Sequence, residues 1–400
     1  MLTLPWQRLR RVCLKTSAVS LACLALAATA QQTNSTPPPN SGQPSQSVQL
    51  VPRTPEQRER QSHESHIVVL NVEVTGPDQT PVTGLTENDF TLLDNSQPQK
   101  IVFFRESSAA VPVHIVFVFD AVNDRAHDLN VERQAVEKFL RRSPSPLAFP
   151  IAIAQLSDAG LDTSSESTNA VTLLAQAGNA ALGIHARPTT VTAPDLPEGG
   201  AGAVGGTMLP PDMRTRKLDL GWSDRNQRFL LSLNGLTELI RRENQVSGRI
   251  LVVWLGPGWP SLTGPGFKAD TEALRSNYFD HIADFTNNLR DAQITLDMIA
   301  LPDKQRDATP DLTPVTAPAQ ASAAHLALPI LALDSGGQVF DTNPDIASAI
   351  AACLADARSW YTLSFVSAPS GAPDEYRPLK VTGNRPGVSV RTSTGYYAEP

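Results

Sequence analysis

The spacing of apolar and polar positions changes several times along the chain, and each change marks an element. Residues 67–74 alternate as a half-buried strand does, Gly76-Pro77-Asp78 turns the chain, and residues 90–93 and 101–104 read as further strands around the turn Asp94-Asn95-Ser96. From His114 the pattern becomes continuous: residues 114–119 form an unbroken apolar strand, and Val131, Ala135, Phe139 and Leu140 share one face of the helix after it. That alternation repeats. Residues 149–156 read as a buried strand, 171–174 open a helix, Phe229, Leu233, Leu236 and Ile240 mark another, and 250–255 are fully apolar. Tyr278, Ile282, Phe285 and Leu289 place a helix before the strand 294–301, and Asn343-Pro344 predicts a helix to about Trp360, followed by a strand over 361–366.

Strands hidden on both faces, with helices between them, predict an α/β class: a doubly wound, mainly parallel sheet over 109–368. Two stretches interrupt it, 185–224 with a Gly-rich run at 198–206, and 302–323, rich in Pro, Thr and Ala. Both are expected as mobile insertions. Within 369–400, residues 376–381 and 388–397 predict two strands. These are expected to pair with the N-terminal set in 62–108, making a small β unit, because neither set buries a face alone.

The first eighteen residues carry Arg8, Arg10, Arg11 and Lys15 and no acid, 20–30 is apolar, and Ala28-Thr29-Ala30 offers small residues for cleavage. Residues 1–30 therefore read as a signal peptide, removed before Gln31. That apolar run is too short to span a bilayer, and no other segment is long and uncharged enough, so no integral membrane segment is expected after cleavage. A secreted or periplasmic protein follows, exported by the general or the twin-arginine route, since Arg10-Arg11 fits the latter in part. Residues 31–61 are Gln, Ser, Thr, Asn and Pro with little to bury, a flexible tether. Of the 3 cysteines, cleavage leaves Cys353 alone, which precludes an internal disulfide. Ile346, Ile350 and Leu354 surround it at helical spacing and predict a buried thiol.

Composition narrows the function classes. The 33 basic residues against 40 acidic ones give a net charge of −7, and the signal holds four of the basic residues. Nucleic-acid binding depends on clustered cations and is excluded as the main role. With 41% hydrophobic residues in 400, the chain is able to bury a real core.

Between residues 67 and 398 the sequence resembles the von Willebrand factor type A fold, and within it the VWFA-related family of Acidobacteria. The resemblance rests on Pro81-Val-Thr-Gly-Leu-Thr-Glu-Asn-Asp-Phe90, the strand ending in Asp120, Asp334-Ser-Gly-Gly337, and Gly387-Val-Ser-Val-Arg391 followed by Gly395-Tyr-Tyr-Ala398. It implies a site for Mg²⁺ or Mn²⁺ at the carboxyl ends of the strands, built from Asp-x-Ser-x-Ser, a Thr from a middle loop and a distal Asp. Hard cations favour such oxygen octahedra. Here the first motif reads Asp120-Ala121-Val122-Asn123-Asp124, so Asp120 is kept, Val122 lacks a donor and Asp124 replaces the second Ser. Pro257 stands where the distal Asp is usual, and Thr207, in Gly-Gly-Thr, matches the middle-loop Thr. The resemblance thus implies a degenerate adhesion site with no metal or other cofactor, whose rim binds a protein partner. Trp254 and Trp259 add apolar area near that rim, although Trp254 also fits plain core.

Enzyme signatures are lacking. Ser335 in Asp334-Ser335-Gly336-Gly337 matches a serine-protease segment only in letters, since the surrounding α/β pattern supplies no matching His. The seven His are scattered. The sequence reading is therefore an exported, non-catalytic binding or envelope scaffold module. Its alternatives are a metal-dependent adhesion domain with unusual ligands and a hydrolase.

Overall fold

The alternating apolar and amphipathic pattern folds as an α/β protein in the computed structural model, which describes residues 66–107, 112–182, 211–244, 248–259, 262, 271–302, 312–342 and 345–400. All of these fall in one unit, Ser47–Pro400. Four strands come first: β1 (Ile67–Thr75), β2 (Phe90–Asp94), β3 (Gln97–Gln99) and β4 (Phe103–Ser107). The central series follows as β5 (Val113–Asp120), α1 (Ala126–Arg142), β6 (Ile151–Ser157), β7 (Gly160–Thr163), α2 (Ala170–Leu182), α3 (Pro211–Glu243), β8 (Arg249–Leu255), α4 (Glu272–Asp291), β9 (Ile294–Ile299), α5 (Leu328–Asp334), β10 (Val339–Phe340) and α6 (Ile346–Asp356). The chain ends with β11 (Trp360–Val366), β12 (Glu375–Gly383), β13 (Ser389–Arg391) and β14 (Gly395–Ala398). The expected signal peptide and tether lie outside the described residues.

The central sheet has the order β10-β9-β8-β5-β6-β7. Its pairings are parallel except for β6 with β7, which run antiparallel. A continuous apolar strand serves two cores at once. Val116 and Val118 of β5 face a core shared with Phe229 and Leu233 of α3 and Ile282 of α4, while Ile115, Phe117 and Phe119 face Leu129 and Val136 of α1 and Ile350 of α6. Helices therefore cover both faces of this sheet.

The β unit has two further sheets, β13-β1-β11-β4 and β14-β12-β2-β3. β1 pairs with β13 and β12 pairs with β2, so strands from both ends of the chain interleave. One expectation is corrected here. Residues 361–366, assigned from sequence to the α/β domain ending at 368, instead lie between β1 and β4, antiparallel to both. The reason is their period: Tyr361, Leu363 and Phe365 enter the β-unit core while Thr362 and Ser364 point the other way, the alternation of a strand with one face on its own core.

The expected loops are also corrected in part. Residues 211–224 belong to α3, and in the second insertion Val315, Ala321 and Ala323 are buried, with Tyr397 Oη donating to the Val315 carbonyl at 2.8 Å. That stretch packs against the α4 side of the sheet, which supplies the apolar contacts a mobile loop would lack. Residues 183–210 and 303–311 lie outside the described ones.

A buried polar network joins the β unit to the foot of the α/β sheet. Arg249, at the start of β8, pairs with Glu73 of β1, donates to the Asp356 carbonyl at 3.0 Å and to Thr295 Oγ1 at 3.2 Å, and lies over the Trp360 ring at 5.1 Å. Arg391 of β13 pairs with Asp356, which also accepts from Gln338 Nε2 at 2.9 Å. Asp297 accepts from Gln338 N at 2.7 Å and bonds the Cys353 thiol.

Candidate functional site

Asp120 ends β5 at the carboxyl edge of the sheet and is fully buried. The chain turns directly after it, and the turn is closed onto its carboxylate. Oδ1 accepts from Val122 N at 3.2 Å, Asn123 N at 3.0 Å and Asn123 Nδ2 at 3.0 Å, whereas Oδ2 accepts from Asn123 Nδ2 at 2.8 Å and Trp254 Nε1 at 3.1 Å. Asn123 Nδ2 also donates to Ser232 Oγ at 2.8 Å, and Ser232 donates to the Arg228 carbonyl at 2.8 Å, which ties the turn to α3. Burial pushes the Asp120 pKa up, while the donors from Asn123, Trp254 and Val122 oppose that shift.

Asp124 bonds Arg125 N at 3.0 Å through Oδ1 and faces the carboxyl of Glu132, a buried residue of α1. Burial, and then the charge of Asp124, raise Glu132 well above the carboxylate range; burial likewise lifts Asp124 to about 7, with Asp120 adding to the rise. Neither Asp124 Oδ2 nor Glu132 Oε2 has a donor when both groups are ionised. One shared proton satisfies both, so the pair carries a single charge near neutral pH.

Gly256 makes the close approach of β8 to Asp120 feasible. Its φ is +141°, and a Cβ there would lie 2.8 Å from Asp120 Cβ. Pro257 follows it, partly exposed and without a side-chain donor. Val122 is buried in the apolar core. Thr207 lies outside the described residues.

Of the sequence-derived positions, Asp120, Val122 and Asp124 come together in one turn. This donor set does not fit a hard divalent ion. Such an ion needs oxygen lone pairs turned toward it, but those of Asp120 are directed at N–H groups and those of Asp124 at a second acid. Among the described residues, no three or more His, Cys, Asp or Glu side chains are placed to hold a metal.

Asn123, Ser232 and Glu132 complete the arrangement and were not singled out from sequence. The expected apolar grip is corrected: Trp254 and Trp259 are both buried, packed edge to face at 5.7 Å, with Trp259 Nε1 donating to the Leu326 carbonyl at 2.7 Å. Ser335 is a fold residue. Its hydroxyl donates to the Ala332 carbonyl at 2.8 Å and accepts from Leu296 N at 2.9 Å. Among the described residues no helix is long and apolar enough to cross a membrane.

No protein-family model matches the sequence, and no curated protein matches it. Among solved structures, the human COPII-coat protein Sec24c is similar at 8% identity and a TM-score of 0.29 over 74% of this chain and 44% of its own, so this chain spans less than half of that protein. An aerotolerance-related membrane protein from Bacteroides fragilis gives 10% identity and a TM-score of 0.28, covering 61% of this chain and 98% of its own. Manganese-loaded TRAP protein from Plasmodium vivax gives 9% and 0.26, covering 75% of this chain and 100% of its own. Likenesses this distant assign neither a family nor a function to the chain.

Proposed function

We propose that this chain is an exported, non-catalytic von Willebrand factor A-like module that binds a protein partner in the cell envelope or outside the cell through a degenerate adhesion site. The observation that supports this most is the Asp120 carboxylate, engaged by four N–H groups where a metal-dependent site would keep oxygen free. In this reading the carboxylate has become a strut. It holds the β5 turn against β8, and recognition at the rim uses shape and hydrogen bonds rather than a shared cation.

Thermal unfolding with Mg²⁺, with Mn²⁺ and with chelator tests the metal-free part, and equal melting temperatures are the expected result. A photo-crosslinker placed at Pro257, on the partly exposed rim, tests the binding part with the native envelope fraction. The same crosslinked partner is expected with and without chelator. A metal-dependent site with unusual ligands is favoured only by the extra acids Asp124 and Glu132 beside Asp120. Melting that rises with Mn²⁺ and loses that response in Asp120→Ala would establish it and overturn the proposal.

A further inference from the structure

Six large hydrophobic side chains stand exposed among the described residues, and four of them gather in one place: Ile67 at 48%, Val102 at 52%, Phe103 at 46% and Val366 at 54%. Strand register explains the grouping. Ile67 lies directly opposite Val366, Phe103 lies opposite Ser364, and Val102 N donates to the Ser364 carbonyl at 2.8 Å. The four therefore occupy one end of the β13-β1-β11-β4 sheet. β4 is the edge of that sheet, paired with β11 on one side and, among the described residues, with no strand on the other. The face bearing Phe103 opens on a cleft of about 470 Å³ walled in part by Val69, Arg105, Trp360 and Thr362.

Apolar exposure on this scale, beside an unpaired strand edge, is what soluble proteins ordinarily avoid. The local charge differs in sign from the chain as a whole. Lys100 and Arg105 bracket Val102 and Phe103, and neither has an acidic partner among the described residues, while the chain carries −7 overall. Arg105 lies over the Phe103 ring at 5.8 Å and extends the apolar surface with a cation. Glu106, the one acid of β4, is occupied elsewhere, accepting from Gly84 N at 2.9 Å.

We propose that the free edge of β4 receives an extended strand from a partner protein, one that carries apolar and acidic side chains in turn along a single face. The backbone of β4 supplies the ladder of hydrogen bonds, Phe103 takes an apolar side chain and Arg105, on the same face two residues on, takes an acid, while Val366 and Ile67 continue the apolar surface behind them across β11 and β1. A second copy of this chain fits less well, because self-pairing brings the cations of both copies together. This surface lies on the β unit and does not depend on the Asp120 rim.

Two blocked peptides test the proposal on the full chain, one repeating Val-Thr-Glu-Thr and one repeating Val-Thr-Lys-Thr, so that Val and the charged residue share a face, read by calorimetry and by hydrogen exchange at β4. The Glu peptide is expected to slow exchange of the β4 amides and to bind at least about tenfold tighter than the Lys peptide, a difference of about 1.4 kcal/mol. Arg105→Glu, an exposed substitution that leaves the core intact, is expected to reverse the preference. Methylating alternate peptide nitrogens is expected to abolish binding. Equal binding of both peptides, binding of neither, or Glu-peptide binding unaffected by Arg105→Glu would overturn the proposal. Concentration-dependent protection of β4 without peptide would also overturn it and assign the edge to a second copy.

Discussion

The indole N–H of Trp254 donates to the carboxylate of Asp120 at 3.1 Å, joining β8 to the end of its neighbour β5 across 134 positions of sequence. Here a side-chain bond continues the attachment past the last ladder pair and fixes where the β5 turn sits. The negative charge at the rim is thereby spent inside the protein, which leaves little of it for a ligand.

Asp120→Ala strands the buried donors of Trp254, Val122 and Asn123. Unfolding in urea is expected to show a loss of about 3 kcal/mol, equal with chelator and with excess Mg²⁺. Trp254→Phe removes one donor and also leaves a gap in the core beside Trp259, and a loss of about 2–3 kcal/mol is expected. A loss in Asp120→Ala that depends on metal would contradict the saturated carboxylate.

Asp124 and Glu132 set a pH dependence. Both pKa values are raised in the folded protein, so the fold binds a proton more tightly than the unfolded chain. Their contribution is fully present below the ordinary carboxylate pKa and is lost as pH rises through about 7, where Asp124 titrates. Glu132→Gln replaces an acid by an amide that donates to Asp124. Its melting temperature is expected to exceed that of the parent by several degrees at pH 8, with the difference vanishing near pH 4.

Arg249 and Glu73 form a fully buried pair at the junction of the two layers. Arg249→Met leaves buried Glu73 without its paired guanidinium, with only the positive charge of Arg391 still acting on it, and is expected to cost about 3–5 kcal/mol in urea unfolding. Adding Glu73→Leu removes the stranded charge, and most of the loss is expected to return. If the double variant is no more stable than the single one, Asp356 and Thr295 carry the junction instead.

Burial, then the charge of Asp297, lifts the Cys353 thiol well above its usual range, and the residue is fully buried. A disulfide reagent is expected to label it only at the rate of unfolding. Rapid labelling of the native protein would show that α6 opens locally.

The strand 114–119 and the strand 250–255 were legible because an unbroken apolar run has one stable place, a sheet covered on both faces. The placement of β11 was not. Its alternation of Tyr361, Leu363 and Phe365 with Thr362 and Ser364 carried the signal, but its position after a helix suggested one more strand of the same sheet. At the site, Asp120 stood out at a strand end, whereas Asn123 and Ser232 meet across 109 positions, a distance no local pattern reports. Glu132 did leave a trace. Leu129, Val136 and Leu140 form the most buried stripe of α1, and Glu132 lies within it, an acid on an apolar face. Reading the helix from Val131, Ala135 and Phe139 hid that conflict.

The interleaving of β1 with β11 and β13, and of β2 with β12, also governs the order of assembly. β1 has its strand partners only in the final forty or so residues, and β2 has only the short β3 beside it before β12 is made, so during translation both lack most of their pairing while the central sheet has all of its own strands in hand. Loop closure over so long an intervening chain is slow. A stop codon placed just before β11 would therefore strip β1 of both strand neighbours and leave β2 with β3 alone, so that the β unit near the start of the chain, not merely the tail, would lose its fold.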